Sequence, residues 1–201
     1  MLDLIWKCPA QELDLDAYLS DYWAEYERIR DVFWKFERAQ TFRERGDPSW
    51  EAFVEGDWSR ALELNEADRP FAREMADHDR RLGIRTCRIR VVESPISPYV
   101  QWEMEFFRLL VEAGQQLRVL DAEALRHREW ARQLPEVVLL GDHVLYQVLY
   151  DDGGAAYGAR RIDEPSVIAE CRRDLATLFA QAEPFLDFYT REVKTLPAPA
   201  M

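Results

Sequence analysis

Apolar residues recur at three- and four-residue steps early in the chain: Leu15, Tyr18, Leu19, Tyr22, Tyr26, Ile29, Phe33 and Phe36. That period predicts a long amphipathic helix with an aromatic stripe, capped near Asp14 or Asp16. Gly46-Asp47-Pro48 ends the region and starts a second helix, with Asp47 as cap and Pro48 at the first helical position. Trp50, Phe53, Val54, Trp58, Ala61 and Leu62 continue at helical spacing, with Gly56 a weak point. Asp68-Arg69-Pro70 opens a third helix, with Phe71, Met75 and Leu82 inward and Gly83 as its stop.

The period changes at residue 84. Cys87, Ile89 and Val91 alternate with Arg88, Arg90 and Val92, which predicts a strand. Ser97-Pro98 then starts a helix whose inner stripe is Tyr99, Trp102, Phe106, Leu109, Leu110 and Ala113, with Gly114 ending it. Leu117–Leu120 is the next strand, so the two strands and their helix form a βαβ unit with parallel strands. A short helix is expected over Ala122–Ala131. Val137–Leu140 and Val144–Tyr150 are strands joined by a Gly141-Asp142 hairpin, and Ala155–Ile162 follows as a third strand. Asp163-Glu164-Pro165 starts a final helix with Val167, Ile168, Cys171, Leu175, Leu178 and Phe179 inward, and residues 196–200 form an extended end.

These elements predict an α+β (mixed α/β) fold: N-terminal helices, a mixed sheet with one βαβ unit and an antiparallel meander, and a C-terminal helix. Residues 1–83 read as an acidic helical region packed on a mixed-sheet domain over 84–195. No flexible linker separates them, so one compact unit is expected.

Charge changes this picture in one respect. The 201 residues carry 38 Asp+Glu against 26 Lys+Arg, a formal charge of −12. Residues 1–80 hold 20 acidic and 11 basic residues, so three quarters of the excess precedes the predicted sheet. That excess argues against binding nucleic acid directly through a basic surface. No apolar run is long enough for a membrane span, and the N-terminus lacks the features of a signal peptide, so a cytoplasmic location is expected. Cys8, Cys87 and Cys171 are odd in number and far apart, which argues against a disulfide framework or zinc cluster.

One stretch carries a resemblance. Arg88-Ile-Arg90-Val-Val-Glu-Ser94-Pro95-Ile-Ser97-Pro-Tyr99-Val-Gln-Trp102-Glu103 is similar to the Arg-Val-Arg-Val-Val-Ser, Pro-x-Ser-x-Tyr, Trp-Glu signature of an actinobacterial domain-of-unknown-function family, numbered 6879. Tyr150-Asp-Asp-Gly153, and Phe53-Val-Glu-Gly56 followed by Trp58, resemble further parts of its pattern. The resemblance covers roughly residues 35–185. Members are commonly encoded beside helix-turn-helix regulators of the Xre type, which implies such a regulator as partner. The order of elements also resembles half of a phospholipase-D-like fold. That chemistry needs a nucleophilic His with Lys two residues later, whereas His143 is followed there by Leu145 and His127 by Glu129. If the fold is of that type, its site is degenerate.

The candidate chemistry falls into two groups. Arg88 and Arg90 share a face of a central strand and need carboxylates or an anionic ligand there, because an unpaired buried charge is costly. Glu103, Arg160 and an Asp142–His143 pair complete a candidate anion site for phosphate, nucleotide or carboxylate. Its alternative is a structural Arg–Glu network. The second group is a partner surface made by Tyr22, Trp23, Tyr26 and Trp34 beside the acidic residues Glu12, Asp14, Asp16, Asp21, Glu25, Glu27 and Asp31. Tyr99, Trp102 and Phe106 could stack on a flat ligand, or be core. No Ser elbow, phosphate loop or dinucleotide glycine motif is present, and no catalytic residue, metal or cofactor is assigned. The expected function is a non-enzymatic interaction or regulatory protein, partnered by a helix-turn-helix regulator or by its own copies. The alternative is a domain acting on an anionic small molecule.

Overall fold

Helix starts follow the local chemistry. In the computed structural model, which describes residues 2–200, Asp14 accepts from the Ala17 N–H and caps α1 (Leu15–Tyr26). Asp47 accepts from Ser49 and Trp50 and caps α2 (Pro48–Val54). The chain breaks at Gly56, and α3 (Trp58–Ala67) starts at Asp57. Helix α4 (Arg69–Leu82) ends at Gly83, which is left-handed with φ 72°. Ser97 caps α5 (Pro98–Ala113), which Gly114 closes at φ 118°.

Among the described residues, eight strands form one mixed sheet: β1 (Gln11–Asp14), β2 (Val32–Glu37), β3 (Arg85–Val92), β4 (Gln116–Asp121), β5 (Val137–Leu140), β6 (Val144–Tyr150), β7 (Ala156–Ile162) and β8 (Glu183–Pro184). Their spatial order is β1-β7-β6-β5-β2-β3-β4-β8. The expected βαβ pair is present as β3 and β4, parallel, and β5-β6-β7 form the expected antiparallel meander.

One expectation is overturned. The helix predicted through Phe36 stops at Tyr26, and Val32–Glu37 is a strand between β5 and β3, parallel to β3. The first 83 residues therefore supply an interior strand and an edge strand as well as helices. The physical reason is double-sided burial. Phe33 packs against α1, while Trp34 and Phe36 pack on the other face with residues of α6 (Pro165–Gln181). A strand buried on both faces loses its polar alternation, and Ile29, Phe33 and Phe36 then mimic a helical stripe.

The sheet is covered on both faces. Ile89, Val91, Val137 and Leu139 face α6 and the N-terminal 3-10 turn Leu2–Lys7. Opposite, Val119 and Leu117 pack under α5 and α7 (Phe185–Phe188), while Val138 and Tyr146 pack under α1. Trp102 is core, its indole N–H donating to Ser49 Oγ at 2.9 Å. Tyr99 is buried and Phe106 half-buried in the same cluster, so these rings pack the interior and offer no stacking platform. Phe71, expected inward, is 53 % exposed, because α4 turns Ala72, Ala76 and Asp79 to the interior instead. The helix expected over Ala122–Ala131 is only a 3-10 turn, Ala122–Leu125. Among the described residues, no helix is long and apolar enough to cross a membrane.

At Gly158 the backbone of β1 comes so close that a Cβ would stand 2.2 Å from the Leu13 carbonyl oxygen. Gly158→Ala is expected to push β1 off the sheet edge and cost roughly 1–3 kcal/mol. Chemical denaturation with hydrogen exchange at residues 11–14 checks this. Unchanged stability with β1 still protected would refute it.

Candidate functional site

The two strand arginines stand where the alternation put them, beneath α5, but no open anion site surrounds them. Arg90 is fully buried. Its Nε donates to Glu103 at 2.6 Å, and Nη1 donates to the carbonyls of Ala39 (2.6 Å) and Val91 (3.1 Å). Arg88 Nη1 donates to both oxygens of Glu37, at 2.8 and 2.9 Å, and its guanidinium lies 4.6 Å from the Phe107 ring centre. Glu37 is on β2, directly opposite Arg90 in register, and Lys35 Nζ also reaches it at 2.7 Å. Lys35, Arg88 and Arg90 hold Glu37 down to about 2 against the pull of burial.

The rest of the predicted anion set lies elsewhere. Arg160 is in one cross-strand row with Gln147, Val137, Phe36 and Ile89, which is the α6 face of the sheet. A one-residue difference in parity sends it away from Arg88 and Arg90. There it donates to Gln147 at 2.6 Å and to the carbonyls of Ile5 and Cys8, fastening the N-terminal turn. Asp142 is exposed on the hairpin. His143 has Glu25 as its carboxylate neighbour, 3.2 Å from Nε2 but not aligned for a hydrogen bond, so the Asp142–His143 pair does not form. Glu103 alone joins Arg88 and Arg90.

Two acids that the sequence reading missed complete this buried network. Glu136 is buried and accepts the backbone N–H groups of Arg38 (2.9 Å) and Ala39 (2.7 Å), pinning the chain where it leaves β2. Burial pushes its carboxyl up to about 7, with the amide donors and Arg90 opposing. Glu129 is held by the Arg38 fork, Nε at 2.8 Å and Nη2 at 2.8 Å. Neither acid stands in a local motif. Each becomes legible only when the loop before β5 folds back over the end of β2.

The predicted partner surface divides. Trp34 is buried on the α6 face against Phe179, at 5.5 Å between ring centres, and cannot belong to it. Tyr26 is buried, with its hydroxyl donating to Asp79 at 2.5 Å. Tyr22 is half-buried and Trp23 is 57 % exposed, and the Trp23 ring contacts Tyr22 at 5.1 Å and Tyr26 at 5.7 Å. These three rings form one wall of a groove of about 220 Å³ between α1 and α4. Met75 and His78 form the other wall, with Glu74 and Arg81 at the groove. His78 lies nearly parallel to Tyr26 and meets Glu27 at 3.0 Å. The sequence pattern places Met75 inward with Phe71 and Leu82 and gives His78 no part in the surface; in the structure both are half-buried and line the groove. Of the acids assigned to the surface, Asp21, Glu25, Glu27 and Asp31 have internal partners in Arg161, Arg28, His78 and Arg172. Glu12 and Asp16 remain exposed, as does Asp14, whose side chain caps α1.

The fold and these sites define a mixed-sheet α+β protein with a closed polar interior and an aromatic groove on its surface. The chain belongs to the family described as Domain of unknown function (DUF6879), whose model matches residues 20–190. A search of curated proteins finds no match.

Removing one partner of the buried pair leaves an uncompensated charge. Arg90→Ala is expected to cost about 3–5 kcal/mol in urea unfolding, and Arg90→Met with Glu103→Leu to recover most of that loss. Equal losses in both variants would contradict the assignment. Glu136 gives a pH signature. Its folded value of about 7 lies above the ordinary 4.5, so the folded state binds the extra proton. Stability should be highest below about 4.5 as far as this group is concerned, and fall as pH rises to about 7, by on the order of 3 kcal/mol. Glu136→Gln should flatten that slope. An unchanged slope would exclude Glu136 as its source.

Proposed function

We propose that this chain is a non-enzymatic cytoplasmic interaction protein that holds a regulatory partner in the groove between α1 and α4. The observation that carries this reading is Trp23, 57 % exposed beside Tyr22, Tyr26 and Met75. An indole left in water at the lip of an aromatic groove has the character of an interface anchor. The occupant is a protein segment with an apolar anchor and basic flanks. The net charge of −12 steers such a segment toward the protein, and Glu74 at the groove meets a basic flank. A helix-turn-helix regulator has that chemistry, since its DNA-binding surface is basic. The closed state of Arg88 and Arg90 speaks against the alternative anion-processing role at that position.

The test is isothermal titration of the purified chain against helix-turn-helix regulators from the same genome. One of them should bind, and Trp23→Ala and Met75→Ala should each weaken that binding at least tenfold without altering the far-ultraviolet spectrum. Binding that survives both substitutions, or no binding by any regulator, would overturn the proposal.

A further inference from the structure

The three parallel strands end side by side. β2 runs out into Arg38, β3 into Glu93 and Ser94, and β4 ends at Asp121. A cavity of about 530 Å³ opens over these ends, within the ~300–1,000 Å³ usual for small-ligand sites. It continues past Glu93, Ser94 and Asp121 into a second hollow of about 210 Å³. The carboxyl ends of parallel strands are where α/β sheets place their ligands, because the chain diverges there into loops.

We propose that this trough binds a guanidinium-bearing ligand. Arg38 is part of its wall and is not available to receive an anion: Nε and Nη2 are taken by Glu129 and Nη1 by Glu93. Glu93 uses only Oε1 in that bond, at 2.7 Å, and is 44 % exposed at the side chain. Asp121 uses only Oδ1, accepting the Glu123 N–H at 2.8 Å. Among the described residues, Glu93 Oε2 and Asp121 Oδ2 accept no hydrogen bond; Asp121 ends β4 opposite Val92, and Glu93 directly follows Val92 on the neighbouring strand.

The second feature is Trp130. It lines the same trough, is 88 % exposed, and meets no other ring or cation among the described residues. An indole face in water favours a planar cation above any other polar group. A guanidinium can stack on that face and present its N–H fork to two carboxylates, which an ammonium cannot do. Across both hollows six carboxylates stand against three guanidinium groups, so phosphates and nucleotides are repelled. This site lies apart from the α1–α4 groove and shares no residue with it.

Agmatine and a capped tripeptide with a central arginine separate the two sources of a guanidinium, a free small molecule and a protein segment. AMP serves as the anionic comparison. Each is titrated calorimetrically into the full chain, into Trp130→Ala and Glu93→Gln, and into Trp23→Ala as a control. At least one guanidinium probe should bind, at least tenfold more weakly to Trp130→Ala and Glu93→Gln, and unchanged to Trp23→Ala. Binding of agmatine alone assigns a small-molecule ligand, and binding of the peptide alone or of both assigns an arginine-bearing segment. Trp130 is too exposed for its removal to unfold the chain, and circular dichroism checks both variants. Absence of binding by either guanidinium probe, undiminished binding to both variants, or preference for AMP would overturn the proposal.

Discussion

A fully buried guanidinium on an interior strand of the sheet sets the terms for its surroundings. Arg90 enters the core because β3 is interior and its odd and even positions both face packed layers. Such a charge is tolerated only with close partners. Those partners fix three pieces of chain at once: Glu103 fixes the rotation of α5, the Ala39 carbonyl fixes the turn after β2, and Glu37 is drawn to the same face through Arg88. Glu136 then ties the loop before β5 to the same turn through the Arg38 and Ala39 amides. The network is thus a register device for β2, β3 and α5, and its closure is what removes Arg88 and Arg90 from ligand chemistry.

With the interior closed, recognition moves to the surface. Two places there keep uncommitted chemistry. One is aromatic, between α1 and α4, where the last turn of α1 leaves the Trp23 ring in water. The other is anionic with a single indole, over the carboxyl ends of the parallel strands. Both arise from the same architectural fact. Helices and loops that cross from one strand to the next cover the sheet faces but leave gaps where a crossover begins and where two helices of unequal length meet.

The legible parts of the fold were those with local punctuation. Ser97-Pro98 and Gly114 bracket α5, Gly141 marks the β5–β6 hairpin, and Asp47-Pro48 starts α2, because caps and positive-φ turns are decided by residues within a few positions. Strand β2 was not legible. Its pattern Val32-Phe33-Trp34-Lys35-Phe36 carries no alternation to reveal two buried faces. Of the sites, the pairing of Arg90 with Glu103 and the exposure of Trp23 could be read from spacing. The roles of Glu136, Glu129, Met75 and Trp130 could not, since their neighbours come from remote segments.

The sequence by itself determined the α+β class, the parallel β3–β4 pair, the meander and the need of Arg88 and Arg90 for partners. Those follow from period, turn residues and the cost of burying charge, which are local or energetic facts. Only the tertiary structure decided that Phe33 and Trp34 lie on opposite faces, that Arg160 points away from the other arginines, and that Glu37 closes over Arg88. Face and partner depend on strand register and order, and a sheet assembled from residues 11 to 184 sets these by contacts that no local window contains.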